Sequence, residues 1–232
     1  IEGVQSGEQG SEALVNSLVQ QYWKPVYCYL RKRRYGNEQA KDLTQGFFQE
    51  IVLGKNLFQQ ADPRKGRFRT LLLVALSNYV VSVHRAETRR RRHPGEDLVS
   101  LDMFDDHGLP AQIKEREPHE VFNYVWASEL LDTVLEEVHR DCVRDGKEVH
   151  WQLFSERVLE PILHEADPPS LGELCGRFHI EGEQMASNML VTVKRRFKMA
   201  LSRRIREEVG SDDAVDEELR DMMATLGGGR AA

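Results

Sequence analysis

Cysteine is scarce and unpaired in this chain, with only Cys28, Cys142 and Cys175 among 232 residues. An odd number at such wide spacing excludes a disulfide framework and the close ligand spacing of a zinc site. Each cysteine falls in an apolar helical pattern, where a free thiol acts as a small buried hydrophobe. A reducing cytoplasm fits this usage. Long apolar runs are absent too. No stretch approaches the length of a membrane span, and the amino terminus has no signal-peptide pattern, so no membrane partner is expected. Alternating strand patterns are nearly missing. Catalytic signatures also fail: there is no Walker motif, dinucleotide fingerprint, nucleophile elbow or zincin helix. The eight histidines are scattered without ligand spacing, and the acidic pair Asp105-Asp106 reads as solvated charge. No catalytic residue, cofactor or metal is expected.

What the chain does have is helical periodicity and segregated charge. Residues 1–95 carry 16 Lys+Arg against 8 Asp+Glu, residues 96–170 carry 6 against 19, and residues 171–232 carry 10 against 11. The net charge of −6 therefore conceals a basic first third beside an acidic middle, the pattern of a polyanion-binding surface on one part of a bipartite protein.

The periodicity predicts an all-α fold of two small helical domains. Leu14, Leu18, Tyr22, Val26 and Leu30 form a first stripe, with Gly36 as its stop and Asn37 capping the next helix. That helix turns Ala40, Leu43, Phe47 and Ile51 inward. Phe68, Leu72, Ala75, Tyr79 and Val83 mark a third helix. These three make a bundle over 11–93. Residues 94–118, rich in glycine, proline and aspartate, read as a linker. A second domain spans 119–210. Its first stripe is Phe122, Val125, Trp126, Leu130, Val134 and Val138. A second is Trp151, Phe154, Val158 and Ile162, kinked at Pro161. Ser170-Leu171-Gly172-Glu173 is a capping-box sequence that opens a short helix. A tight turn at His179 and a long helix with Met185, Met189, Val193, Phe197, Leu201 and Ile205 complete a helix-turn-helix over 170–207. Residues 211–232 read as a flexible tail.

The strongest chemical signal lies between Asp42 and Arg92. Asp42, Gln45 and Gln49 recur at helical spacing and make a polar docking face. A basic loop follows, with Arg64, Lys65, Arg67 and Arg69. The next helix ends in Arg85 and then Arg89, Arg90, Arg91 and Arg92, which suit phosphate contacts. Asn78 and Ser82 can reach base edges, and Tyr79 offers a stacking surface. In the helix-turn-helix, Gln184, Ser187 and Asn188 stand where a groove would be read. Lys194, Arg195 and Arg196 stand where phosphates would lie, with Arg203 and Arg204 further along. An amphipathic bundle helix with a basic face is the alternative reading of that segment. His179 occupies a turn position that favours a left-handed residue, a conformation histidine tolerates better than most.

Several of these segments resemble a known family. Tyr22-Trp23-Lys24-Pro25-Val26-Tyr27, Lys41-Asp42-Leu43-Thr44-Gln45-Gly46-Phe47-Phe48, Gly66-Arg67-Phe68-Arg69-Thr70-Leu71-Leu72 and Asn78 are similar to region 2 of bacterial extracytoplasmic-function sigma factors, in the style of a planctomycete-like group. Leu171-Gly172-Glu173-Leu174 through Lys194-Arg195-Arg196-Phe197 resembles their region 4. Leu71 departs from the tryptophan usual in the family. The resemblance implies a non-enzymatic initiation subunit of RNA polymerase. Asp42, Gln45 and Gln49 would dock on the polymerase core, and the loop from Asn56 to Phe68 and the following helix, with Asn78, Arg85 and Arg89, would capture the melted −10 strand. Region 4 would read the −35 element of promoter DNA. An anti-sigma factor is a candidate further partner. A sigma-like regulator without productive promoter recognition is the alternative, and a repressor or a nucleic-acid enzyme a third.

Overall fold

The computed structural model describes residues 18–54, 57, 67–91, 113–209 and 212–227, without the side chains of 87, 89–91, 208–209 and 212–213. Every regular element among the described residues is helical. The order is α1 (18–32), α2 (Asn37–Phe47), α3 (Phe68–Arg91), α4 (Pro118–Arg144), α5 (Glu148–Phe154), α6 (Glu160–His164), α7 (Leu171–Phe178), α8 (Glu183–Val209) and α9 (Asp212–Gly227). Two π-helical segments, Phe48–Leu53 and Ser155–Leu159, extend α2 and join α5 to α6. The chain divides into two units, one of 1–129 with 208–232 and one of 130–207.

The first unit is built on the expected stripes. Tyr22, Val26 and Leu30 of α1 are fully buried, as are Ala40 and Phe47 of α2, and α3 buries Leu72, Leu76, Tyr79 and Val80. Aromatic rings link these helices: Tyr22 meets Phe68 edge-on at 5.8 Å, and Phe47 lies 5.6 Å from Tyr79. Helix α1 does not stop at Gly36. Arg34 takes the left-handed conformation (φ 69°), Tyr35 N–H donates to Leu30 O and Arg34 N–H to Arg31 O. This double bond pattern closes the helix two residues early. Gly36 instead caps α2, and Asn37 Oδ1 accepts a hydrogen bond from the Tyr27 hydroxyl.

Helices α2 and α3 approach closely at Gly46, where a Cβ would stand 2.6 Å from Tyr79 Oη. Glycine at this motif position therefore has a packing reason.

The unit boundary differs from the one expected at 118/119. The opening turns of α4 belong to the first unit because Val121, Phe122, Val125 and Trp126 are buried. Val121 and Val125 join Cys28 and Ile113 in one apolar cluster, and Phe122 stacks on Tyr22 at 6.2 Å. Within the expected flexible tail of 211–232, the described residues 212–227 are ordered differently. Residues 212–227 form α9, which buries Val215, Glu218 and Met222. The remainder of the expected linker up to 112 lies outside the described residues.

The second unit takes Leu130, Val134, Val138 and Cys142 from α4, all buried, and closes that helix at Gly146 (φ 66°). Leu153 and Phe154 of α5 are buried, but Ile162 is 58% and its neighbour Leu163 72% exposed. Pro161 explains the broken stripe. It lacks an N–H and its ring would clash with the carbonyl four residues back. The backbone widens into the π segment just before it, and the register of the following turn rotates.

Candidate nucleic-acid interface

On α2 and the π-helical segment that extends it the three docking candidates Asp42, Gln45 and Gln49 are all exposed, while Thr44, between the first two, is buried and donates its hydroxyl to Ala40 O at 2.7 Å. The wider winding that begins at Phe48 shifts Gln49 from the α-helical alignment with Gln45. It leaves Asp42 and Gln45 as the pair with fixed register.

On α3, Asn78, Ser82 and Arg85 are exposed and spaced to share one face. The Ser82 hydroxyl donates to Tyr79 O at 2.7 Å, so its remaining capacity is as an acceptor. Tyr79 is 7% exposed and packs on Phe47. Its ring is core, not a stacking platform, while the neighbouring Asn78 faces out. Two residues that the sequence reading missed join this face: Val74 and Val81 are 54% and 40% exposed. Apolar residues run round the whole of α3, so no polar contrast marks which side is outward. Arg89 and Arg90 lie within α3, but their side chains, like the loop at 58–66, fall outside the described residues.

Arg67 and Arg69 are placed differently from an open phosphate-binding surface. Arg67 Nε lies 2.7 Å from Glu218 Oε2, and its Nη atoms face Asp221 and, at 3.6 Å, Glu217. Arg69 Nη2 is 2.7 Å from Glu218 Oε1, and Nη1 donates to Asn123 Oδ1 at 2.6 Å. Its guanidinium sits 4.3 Å above the Trp126 ring, a cation–π contact. Arg69 is 7% and Glu218 1% exposed. The sequence placed these arginines in a basic loop because their partners lie about 150 residues away, beyond any local pattern.

In the second unit the short helix α7 and the long helix α8 follow one another across the turn at 179–182. Ser170 Oγ accepts from Glu173 N–H at 3.2 Å, and Ser170 N–H donates to Glu173 Oε2 at 2.8 Å. That backbone bond holds the Glu173 carboxyl below the usual glutamate range. His179 is left-handed (φ 53°), and Gly182 (φ 109°) accepts at its carbonyl from Ala186 N–H to start α8. Leu174 and Cys175 of α7 are buried, as are Ala186, Leu190 and Val193 of α8.

This leaves Gln184, Asn188, Lys194 and Arg195 exposed, with Ser187 half-buried. Gln184 Nε2 and Asn188 Oδ1 are 3.4 Å apart. Val191, 60% exposed, lies on the same face between Asn188 and Arg195. Apolar contact from such a residue suits a thymine methyl. Arg196 is only half-buried and pairs with Asp145 at 2.8 Å, so it is tied within the unit. Arg203 and Arg204 are likewise engaged by Glu137. Burial works against the Glu137 charge, but the two arginines hold its carboxyl below the usual range.

The expected α8 stripe drifts. Met185 is 47% exposed, whereas Val193, Leu201 and Ile205 are buried. A strict four-residue spacing precesses by roughly 40° per step on a helix of 3.6 residues per turn, so the two ends of such a row cannot face one core.

The described residues hold no group of three or more His, Cys, Asp or Glu able to bind a metal ion, and no helix among them is long and apolar enough to cross a membrane. Comparison with protein-family models, with curated proteins and with solved structures finds no match to this chain.

Proposed function

We propose that this chain is a sigma factor, which brings RNA polymerase core to promoters and opens the −10 region. The observation that carries this reading is the helix-turn-helix of the second unit. Its cap is closed at Ser170, its turn is set by His179, and its reading face of Gln184, Asn188 and Arg195 is exposed. An exposed polar face at the start of such a helix is the arrangement that enters a DNA major groove. The first unit adds two accessible faces that a two-partner role needs. Asp42 and Gln45 on α2 are the polymerase-docking pair. Asn78, Ser82 and Arg85 on α3 are the face for a separated strand, where an amide reads a base edge and a guanidinium holds phosphate. In this reading the first unit corresponds to sigma region 2 and the second to region 4.

A second reading, a sigma-like regulator that binds polymerase without productive promoter recognition, is favoured by two observations. Glu181 and Glu183 are exposed at the entrance to α8, where they repel phosphate. Arg67 and Arg69 are already committed to carboxylates.

Reconstitution with core polymerase separates the two. Promoter-dependent transcripts support the sigma factor, tight core binding without transcripts supports the regulator, and no core binding refutes both. In the same assay Asp42→Ala with Gln45→Ala weakens core binding by about tenfold, a loss of about 1.4 kcal/mol, without altering the helical circular dichroism. Unchanged affinity removes α2 as the docking element.

A further inference from the structure

The first unit holds a cleft between the last turn of α1, the second and third turns of α3 and the start of α4. Its volume is about 320 Å³, the lower end of the range for small-molecule sites. The floor and walls are apolar: Tyr29, which is 4% exposed, with Leu73, Val74 and Pro118. Val74 is 54% exposed, an apolar side chain that folding leaves open.

Two opposite charges line this one cleft, Arg33 from α1 and Glu117 from the residue that caps α4. Among the described residues neither side chain forms an ion pair or a hydrogen bond, with the other or with any third group. They therefore face the same space from a separation greater than an ion pair. Both are fixed at the backbone. Arg33 N–H donates to Tyr29 O at 3.0 Å, and the guanidinium carbon lies 6.0 Å from the centre of the Tyr29 ring. Glu117 N–H donates to Glu120 Oε2 at 2.8 Å, and its carbonyl accepts from Val121 N–H at 2.9 Å. The cap thus occupies the Glu117 backbone and leaves its carboxylate to the cleft.

We propose that this cleft binds a free amino acid with an apolar side chain. Arg33 takes the carboxylate, whose paired oxygens match the guanidinium fork, and Glu117 accepts from the ammonium group. The ligand side chain lies on Tyr29, Leu73, Val74 and Pro118. Ser77 and His119, also on the lining, offer further hydrogen bonds. One cation and one anion held apart select a zwitterion, because a simple acid or a simple amine leaves one charge of the cleft unmatched. The lining includes none of Asn78, Ser82 and Arg85, so the site is independent of the strand-binding reading.

Isothermal titration calorimetry on the full chain tests this with L-leucine, L-phenylalanine and two halves of phenylalanine. Phenylpropionate lacks the ammonium group, and phenethylamine lacks the carboxylate. At least one of the two amino acids binds, one molecule per chain. Each half-ligand binds at least about tenfold more weakly than phenylalanine, the loss of one charge-assisted hydrogen bond. Arg33→Gln and Glu117→Gln, both at exposed positions, weaken amino-acid binding by at least about the same factor. The losses are matched to the groups: R33Q binds phenylalanine and phenethylamine alike, and E117Q binds phenylalanine and phenylpropionate alike. A merely structural role for either residue would not produce that pairing. Binding of neither amino acid to the unaltered chain overturns the proposal, without reference to any variant. So does an unchanged affinity in either variant, or a half-ligand that binds as tightly as phenylalanine.

Discussion

Replacing Gly46 by alanine tests the close approach of α2 and α3. In an open helix the change would stabilise the chain by about 1 kcal/mol, because glycine loses more backbone freedom on folding. Here the new Cβ would meet Tyr79 Oη at 2.6 Å, about 1 Å inside ordinary contact. Tyr79 is 7% exposed and its ring rests on Phe47, so it has little room to withdraw. Overpacking of this kind costs about 1–3 kcal/mol. The expected net effect is a loss of about 1 kcal/mol, read as a lower denaturant midpoint with an unchanged m-value. The sign should reverse in a Tyr79→Phe background. The next atom of Tyr79 from the new Cβ is Cζ at 3.8 Å, an ordinary contact, so without the hydroxyl Gly46→Ala gains its helix-propensity benefit. The double-mutant cycle should therefore show a coupling of about 2 kcal/mol. Equal effects of Gly46→Ala in the two backgrounds would refute the steric account.

Three further outcomes follow from the geometry. Arg34→Gly relieves a left-handed arginine (φ 69°) and should raise stability by up to about 1 kcal/mol, checked by thermal unfolding. Glu173, whose folded carboxyl is held below the usual range by the Ser170 backbone N–H, stabilises α7 above the ordinary glutamate value. It loses that contribution as pH falls through its lowered folded value. Protection factors of the α7 amides, taken relative to the intrinsic exchange rate at each pH, should fall on acidification, and Glu173→Gln should remove that acid dependence. Asn78→Ala should weaken single-strand binding by about 1–3 kcal/mol in a sequence-dependent way. Arg85→Ala should weaken all sequences alike and lower the salt slope by about one ion, both read by anisotropy titration.

Local pattern carried much of this fold. The α4 stripe, the Ser170 capping box and the left-handed His179 are all short-range signals, and each is formed. The failures have physical causes. Pro161 forces a π segment that turns Ile162 outward, and a four-residue row on α8 cannot stay on one side of a helix. Tyr79 faces inward with Leu72, Leu76 and Val80, and the apolar residues around α3 leave no polar contrast that marks the outward side. The α9 contact was illegible because Glu218 is far in sequence from Arg67 and Arg69. Within its own segment it reads as one solvated acid among several. The faces on α2 and α8 were easier to place because Asp42, Gln45, Gln184 and Asn188 are polar residues on otherwise patterned helices.

The scattered thiols have a use that follows from where they sit. Cys28 belongs to the first unit, and Cys142 and Cys175 to the second; all three are buried. Burial pushes the Cys28 thiol up to about 11, and burial raises Cys142 as well. At neutral pH both stay protonated, and neither is a nucleophile until its surroundings open. Alkylation of the native chain thus becomes a clock. Mass spectrometry of the Cys28 and Cys142 peptides reads how often each half of the chain exposes its interior, with no engineered label.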